Sequence, residues 1–152
     1  MRDQVLVVGV STQIARALDV VRRHFSDVEH HMRNHVHPDV EFTPLPDLQG
    51  ECRFRKTIRI LGIPIVDEVV LNRQPDGSIT EDSVAGPSTG MRLVSSFLAD
   101  GPQCTATTLT VQMPVQGLKW LAAPWLRLLI ARRLTRALDE DRRDLEVGRY
   151  PS

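Results

Sequence analysis

Apolar and polar positions alternate through the middle of this chain and recur at helical spacing towards its end. Gln4 to Val10 is apolar and β-branched and predicts a first strand. Ser11-Thr12 offers an N-cap, and Ile14, Ala15, Leu18 and Val21 then repeat at the spacing of a helix. A second cap at Ser26-Asp27 predicts a break and a second helix ending near Asn34. His37-Pro38 stops that helix, because the residue before a proline is pushed out of the helical region.

From Val40 the chain predicts strands. Between Glu51 and Ile60, Cys52, Phe54, Ile58 and Ile60 share one face, and Arg53, Arg55, Thr57 and Arg59 share the other. Lys56 is the mismatch on the apolar face. Gly62 turns the chain into a strand over 63–72, and Gln74-Pro75-Asp76-Gly77 turns it into another over 78–84. Gly86-Pro87-Ser88-Thr89-Gly90 leads into a hairpin of Met91–Ala99 and Gln103–Met113 around Asp100-Gly101-Pro102. Six antiparallel strands are therefore expected after residue 38. A long helix closes the chain. From Leu118 to Glu146 there is no glycine and one proline, Pro124, which either lies in the first turn of the main helix or kinks it. The first half of that stretch is apolar. The second is charged, with Arg136–Glu140, Asp139–Arg143 and Arg142–Glu146 four apart, as suits an exposed face.

With 152 residues, the chain is expected to form a single domain, 1–152, with room for a core or a cavity. Nineteen basic residues balance nineteen acidic ones, so no global field recruits nucleic acid, and none is expected as a partner. Two cysteines, Cys52 and Cys104, exclude a small disulfide scaffold and any four-cysteine site; both are expected as thiols. No signal peptide is expected before the first strand, and the cytoplasm is the expected location. The longest apolar stretch, 118–131, is interrupted by Lys119, Pro124 and Arg127 and is shorter than the ~20 residues that span a bilayer. Its tryptophans and basic residues suit either transient contact with a membrane surface or a place in the core. No nucleophile elbow, phosphate-binding loop or dinucleotide fingerprint is present.

The order strand, two helices, six strands, long helix resembles the START-like or SRPBCC superfamily, which includes polyketide cyclases, lipid-transfer domains and plant pathogenesis-related proteins. The resemblance implies an α+β helix-grip fold. In it a curved antiparallel sheet of about seven strands wraps round the C-terminal helix, with two short helices after the first strand. It also implies binding or transport of a small hydrophobic molecule, such as a lipid, sterol or polyketide, in an internal cavity. An enzyme of cyclase/aromatase-like or iron-dependent oxygenase-like type, using the His30–His35 region, is the alternative. The expected cavity lining is Phe54, Ile58, Met91, Phe97, Trp120, Leu121, Trp125 and Leu128. An interaction module that dimerises through the C-terminal helix is a third class.

A second resemblance lies within the first. Asp27, His30 and His35 fit the pattern Asp-x-x-His-x-x-x-x-His, which is similar to the helix motif of the catalytic domains of Rieske-type ring hydroxylases. Those domains hold one iron with two histidines and a carboxylate, and the resemblance implies a third ligand from the C-terminal helix, with Asp141 nearest. The final stretch, 144–151, is similar to the ends of those domains. The cysteine–histidine pattern that would hold an electron-delivering cluster is missing, so a full Rieske oxygenase is excluded.

All five histidines fall in one window: His24, His30, His31, His35 and His37. On a continuous helix Asp27, His31 and His35 share a face, whereas His30 and His35 converge only at a distorted turn or helix end. Imidazole with carboxylate suits zinc or iron. The candidate ligands for a single iron or zinc are His30, His31, His35, Asp27 and Asp141; the alternative is a solvated polar helix face and no cofactor. A histidine at the rim, or Lys56, Asp67 or Glu81 if their strand faces point inward, would serve as general acid or base. A slip of one residue in register inverts that choice.

Overall fold

The computed structural model describes residues 4–46, 50–147 and 150–152, apart from the side chains of 118–120. Strand β1 (Gln4–Ile14) leads to helices α1 (Leu18–Ser26) and α2 (Val28–Asn34). Strands β2 (Val40–Pro44), β3 (Cys52–Ile60), β4 (Ile63–Arg73), β5 (Ile79–Ala85), β6 (Arg92–Ala99) and β7 (Thr105–Val115) follow. A 3₁₀ turn, Gly117–Ala122, enters the long helix α3 (Ala123–Glu146). The seven strands form one antiparallel sheet in the order β1-β7-β6-β5-β4-β3-β2, with α3 packed across it. This is the expected helix-grip arrangement. Among the described residues no helix is long and apolar enough to cross a membrane.

Local signals and tertiary pairing disagree at one point. Ser11-Thr12 does not cap a helix but lies inside β1, which pairs with β7 from Gln4 opposite Val115 to Ile14 opposite Thr105. The Ser11 hydroxyl bonds to that of Thr108 at 2.8 Å, so a cross-strand partner outweighs the local cap. Helix α1 starts instead at Leu18, with no side-chain cap. The predicted break holds: the Asp27 carboxylate accepts from the His30 backbone N–H at 2.9 Å and starts α2. Pro124 sits in the first turn of α3, where its missing N–H has no helical partner to lose.

Register decides the faces. Phe54 lies opposite Val69, Lys56 opposite Asp67, Leu71 opposite Glu81 and Glu81 opposite Leu93. Ser95 and Val10 both lie opposite Leu109, which packs with Leu134 and Leu138 of α3. Lys56, Asp67 and Glu81 therefore share the concave face with Phe54, Ile58 and Leu93, because side chains alternate along a strand.

Among the described residues, three apolar clusters hold the fold. Leu134 and Leu138 pack on Leu6, Val8, Leu109, Val111 and Val115. A second group joins Ile14, Val20 and Val21 to Leu145 and Tyr150, and a third is Phe54, Val69, Leu71 and Ile79. Phe25, near the end of α1, packs against all three. That contact sets α1 and α2 over the sheet and beside α3.

The β3–β4 hairpin turns on Leu61 and Gly62, with φ of +51° and +79° between the paired Ile60 and Ile63. Two successive positive φ values define the tight turn that matches strand twist, and a leucine there is strained. Leu61 is also 97% exposed, so its side chain gains little from packing. Leu61→Asn is expected to raise stability by about 1 kcal/mol, read as a higher urea midpoint. An unchanged or lower midpoint would count against strain at this turn.

Candidate functional site

The inward stripe of α3 does not stop where its sequence turns polar. Leu134 and Leu138 are followed on the same face by Asp141, Asp144 and Leu145, all buried. Carboxylates placed on a buried stripe need partners. They find them in the histidines of α1, α2 and the following loop.

His31 Nε2 lies 3.0 Å from Asp141 Oδ1, and its Nδ1 lies 2.8 Å from the Asp27 carbonyl oxygen. His37 Nε2 reaches the same Asp141 oxygen at 3.3 Å, with Nδ1 on Glu140 at 2.8 Å. Asp144 Oδ2 takes His24 Nε2 at 3.0 Å and His30 Nε2 at 2.6 Å. His24 Nδ1 points back towards Asp141 Oδ1 at 3.9 Å; it is buried and has no hydrogen-bond partner among the described residues. Tyr150 closes the cluster edge-on, its ring centroid 4.8 Å from His24 and 4.6 Å from His30, while its hydroxyl donates to Asp27 Oδ2 at 3.0 Å.

The acceptors place the protons. The Asp27 carbonyl can only accept, so His31 Nδ1 carries a hydrogen. Burial depresses His24 to about 4, beyond what Asp141 and Asp144 restore, so the ring is neutral. Its Nε2–H donates to Asp144, which leaves a bare lone pair on Nδ1. Burial opposes the charge on His31 too, but the hydrogen bond and charge of Asp141 outweigh it and raise its pKa. For His37 the same contest, won by Asp141 and Glu140, raises the pKa to about 9. Burial would raise Asp141, yet His37 and His31 hold it below the ordinary carboxylate range; His30 and His24 do the same for Asp144.

Of the candidate residues, the structure brings His30, His31 and Asp141 into this cluster. Asp27 is spent on the α2 cap and Tyr150, away from the other carboxylates. His35, the C-cap of α2 with φ of +48°, is exposed and lines a groove rather than the cluster. His24, His31 and Asp141 present one set of ligand atoms within 4.8 Å of one another, and His24, His30 and Asp144 present a second. His24 and Asp144 were not in the sequence-derived set. A signal for Asp144 and Asp141 existed: they continue the Leu134–Leu138–Leu145 stripe. His24 joins the set only because the chain bends at Asp27.

The expected cavity lining divides. Phe54 is 1% exposed and belongs to the core. Ile58, Met91 and Phe97 are half-buried. Leu121, Trp125 and Leu128 are exposed on the first turns of α3 and its 3₁₀ approach, at 74%, 76% and 46%. The Trp120 side chain lies outside the described residues. Lys56 and Glu81 face inward as an ion pair at 2.9 Å, whereas Asp67 is tied to the β5–β6 turn through the Ser88 N–H at 2.8 Å. A groove of about 840 Å³ runs between α3 and the loop after α2, lined by residues including His35, Val36, Glu140 and Asp144.

Sheet, paired helices and gripping C-terminal helix define the START-like, helix-grip architecture. A START superfamily protein from Mycobacterium smegmatis matches it with a TM-score of 0.76 at 17% identity, over 92% of this chain and 97% of that one. The Zhui aromatase/cyclase from Streptomyces sp. R1128 matches with a TM-score of 0.78 at 16% identity, over 95% and 96%. Norcoclaurine synthase from Thalictrum flavum, in complex with dopamine and hydroxybenzaldehyde, gives 0.73 at 11% identity over 99% and 91%. At such identities the likeness is one of fold. No protein-family model matches the sequence, and no curated protein matches it.

Proposed function

We propose that this protein binds a small hydrophobic molecule between the concave face of the sheet and the N-terminal half of α3. The observation that carries this reading is the state of the inward apolar side chains. Ile58, Leu93 and Phe97 on the strands, Met91 just before β6, and Leu126 and Ile130 on α3 stay half-buried although sheet and helix lie over one another. A solid core would bury them as it buries Leu109 and Leu138. The Lys56–Glu81 pair supplies a polar fixture within an apolar surround, the usual composition of a small-molecule site. The START superfamily and aromatase/cyclase neighbours support the same reading. So do the exposed Leu121, Trp125, Leu128 and Leu129, with Arg127 and Arg132 among them and no acidic residue from 101 to 138. Such a surface suits transient contact with an anionic membrane from which an apolar ligand is loaded, checked by co-sedimentation with anionic vesicles.

The test uses the fluorophore 1-anilinonaphthalene-8-sulfonate. Saturable one-to-one binding is expected, and Ile58→Trp, which fills the cleft, should weaken it by at least about tenfold, or ~1.4 kcal/mol, without changing the far-UV circular dichroism. Binding that never saturates, or that Ile58→Trp leaves unchanged, would sink the reading.

A cyclase/aromatase-like enzyme is the second reading, favoured by the inward Lys56–Glu81 pair, which offers a base and an acid at one place. Loss of turnover of a carbonyl substrate in Glu81→Gln, with fluorophore binding retained, would distinguish it from a carrier.

A further inference from the structure

We infer that His24, His31 and Asp141 form a binding site for one divalent cation of the zinc class, held by His24 Nδ1, His31 Nε2 and a carboxylate oxygen of Asp141. The site lies between α1, α2 and α3, and it stands independently of the ligand cleft.

Geometry comes first. The three ligand atoms lie within 4.8 Å of one another, and both nitrogens face the same oxygen, Asp141 Oδ1, at 3.9 and 3.0 Å. That spread suits three ligands around an ion about 2.0–2.2 Å from each. The outer nitrogens are already engaged. His31 Nδ1 donates to the Asp27 carbonyl and His24 Nε2 to the Asp144 carboxylate, at 2.8 and 3.0 Å. An outer acceptor of this kind fixes the tautomer of a metal-bound histidine and aims its free lone pair inward.

The independent observation is His24 Nδ1. It belongs to a side chain with 0% exposure, it has no hydrogen-bond partner among the described residues, and it faces an anionic oxygen. Two buried electron-rich atoms aimed at each other are unfavourable unless something positive lies between them. A metal ion satisfies the nitrogen and the oxygen together. It also removes the need for His31 to carry hydrogens on both nitrogens, which its two acceptors otherwise impose.

Donor chemistry sets the class. Two imidazoles and one carboxylate, without thiolate, favour zinc or ferrous iron over magnesium or calcium, which take oxygen ligands. His37 stands at the same Asp141 oxygen with Glu140 behind it, so a further imidazole borders the site. Glu140 and Asp144 line the groove along α3, which brings solvent to the edge of the cluster.

The experiment is zinc titration of chelator-treated protein by calorimetry, with cobalt(II) absorption as a second signal. One ion per chain is expected, with Kd of about 1 µM or tighter. His31→Gln and Asp141→Asn should each weaken binding at least about 100-fold, while His35→Ala, exposed on the groove, should leave it unchanged. Long-range ¹H–¹⁵N spectra of the wild type give a reading that does not depend on a variant folding. Zinc should move His24 Nδ1 and His31 Nε2 to ligand-type shifts and leave His24 Nε2 and His31 Nδ1 protonated. No uptake by folded wild type, uptake unchanged in both ligand variants, or shifts at His30 and His35 instead would each overturn the assignment.

Discussion

Asp141→Ala is expected to cost about 3–5 kcal/mol of stability in chelator-treated protein, the penalty for leaving buried charge without its partner. The carboxylate is 3% exposed and takes His31 Nε2 at 3.0 Å and His37 Nε2 at 3.3 Å. Both rings have raised pKa values because of it. Truncation leaves the charge of His31 uncompensated and that of His37 to Glu140 alone, or forces the rings neutral against the acceptors on their other side. Domains of this size have a total stability of roughly 5–15 kcal/mol, so the loss should be plain in urea unfolding followed by circular dichroism. Asp141→Asn keeps the volume and one accepting oxygen and should cost less. Glu140→Ala is the internal control. Its side chain keeps 19% exposure and binds the Nδ1 side of His37 and the exposed Arg136, so a cost under about 1 kcal/mol is expected. If Asp141→Ala proves as mild as Glu140→Ala, the cluster does not hold the helices together.

Phe54→Ala carries the second large effect, about 3–5 kcal/mol, as for other buried aromatic truncations. The ring is 1% exposed, packs with Val69, Leu71 and Ile79, and lies 5.7 Å from the Phe42 ring centroid. No neighbouring segment can collapse into the void without disturbing β4 and β5. Ile58, four residues along the same face of β3, is half-buried, and Ile58→Ala should cost only about 1–2 kcal/mol. That difference along one strand face separates a packed end of the sheet from the end that the proposed ligand would occupy. Equal losses at both positions would mean that the concave face is a continuous core, and the ligand reading would lose its main support.

Much of the architecture was legible in the chain because it rests on short-range periodicity. Alternation in β3 gave its faces and singled out Lys56, the cap at Asp27 gave the break between α1 and α2, and Pro124 left a first turn or a kink, of which the structure takes the first turn. Local reading failed where a distant partner was stronger than a nearby one. The Ser11-Thr12 cap lost to eleven residues of pairing with β7. Leu121, Trp125 and Leu128 have the character of a core but lie at the end of α3 that the core does not cover.

The site depended still more on the third dimension. Sequence by itself determined that five histidines share one window and that the second half of the closing helix is charged. Whether Lys56 and Glu81 faced a ligand or water was a matter of register, which only the assembled sheet supplies. The pairing of His24 with Asp144 and of His31 with Asp141 spans 120 and 110 residues. No local spacing encodes such a contact. It exists because Phe25 anchors α1 in the core while Leu134, Leu138 and Leu145 seat α3, and burial then turns the carboxylates and imidazoles towards one another.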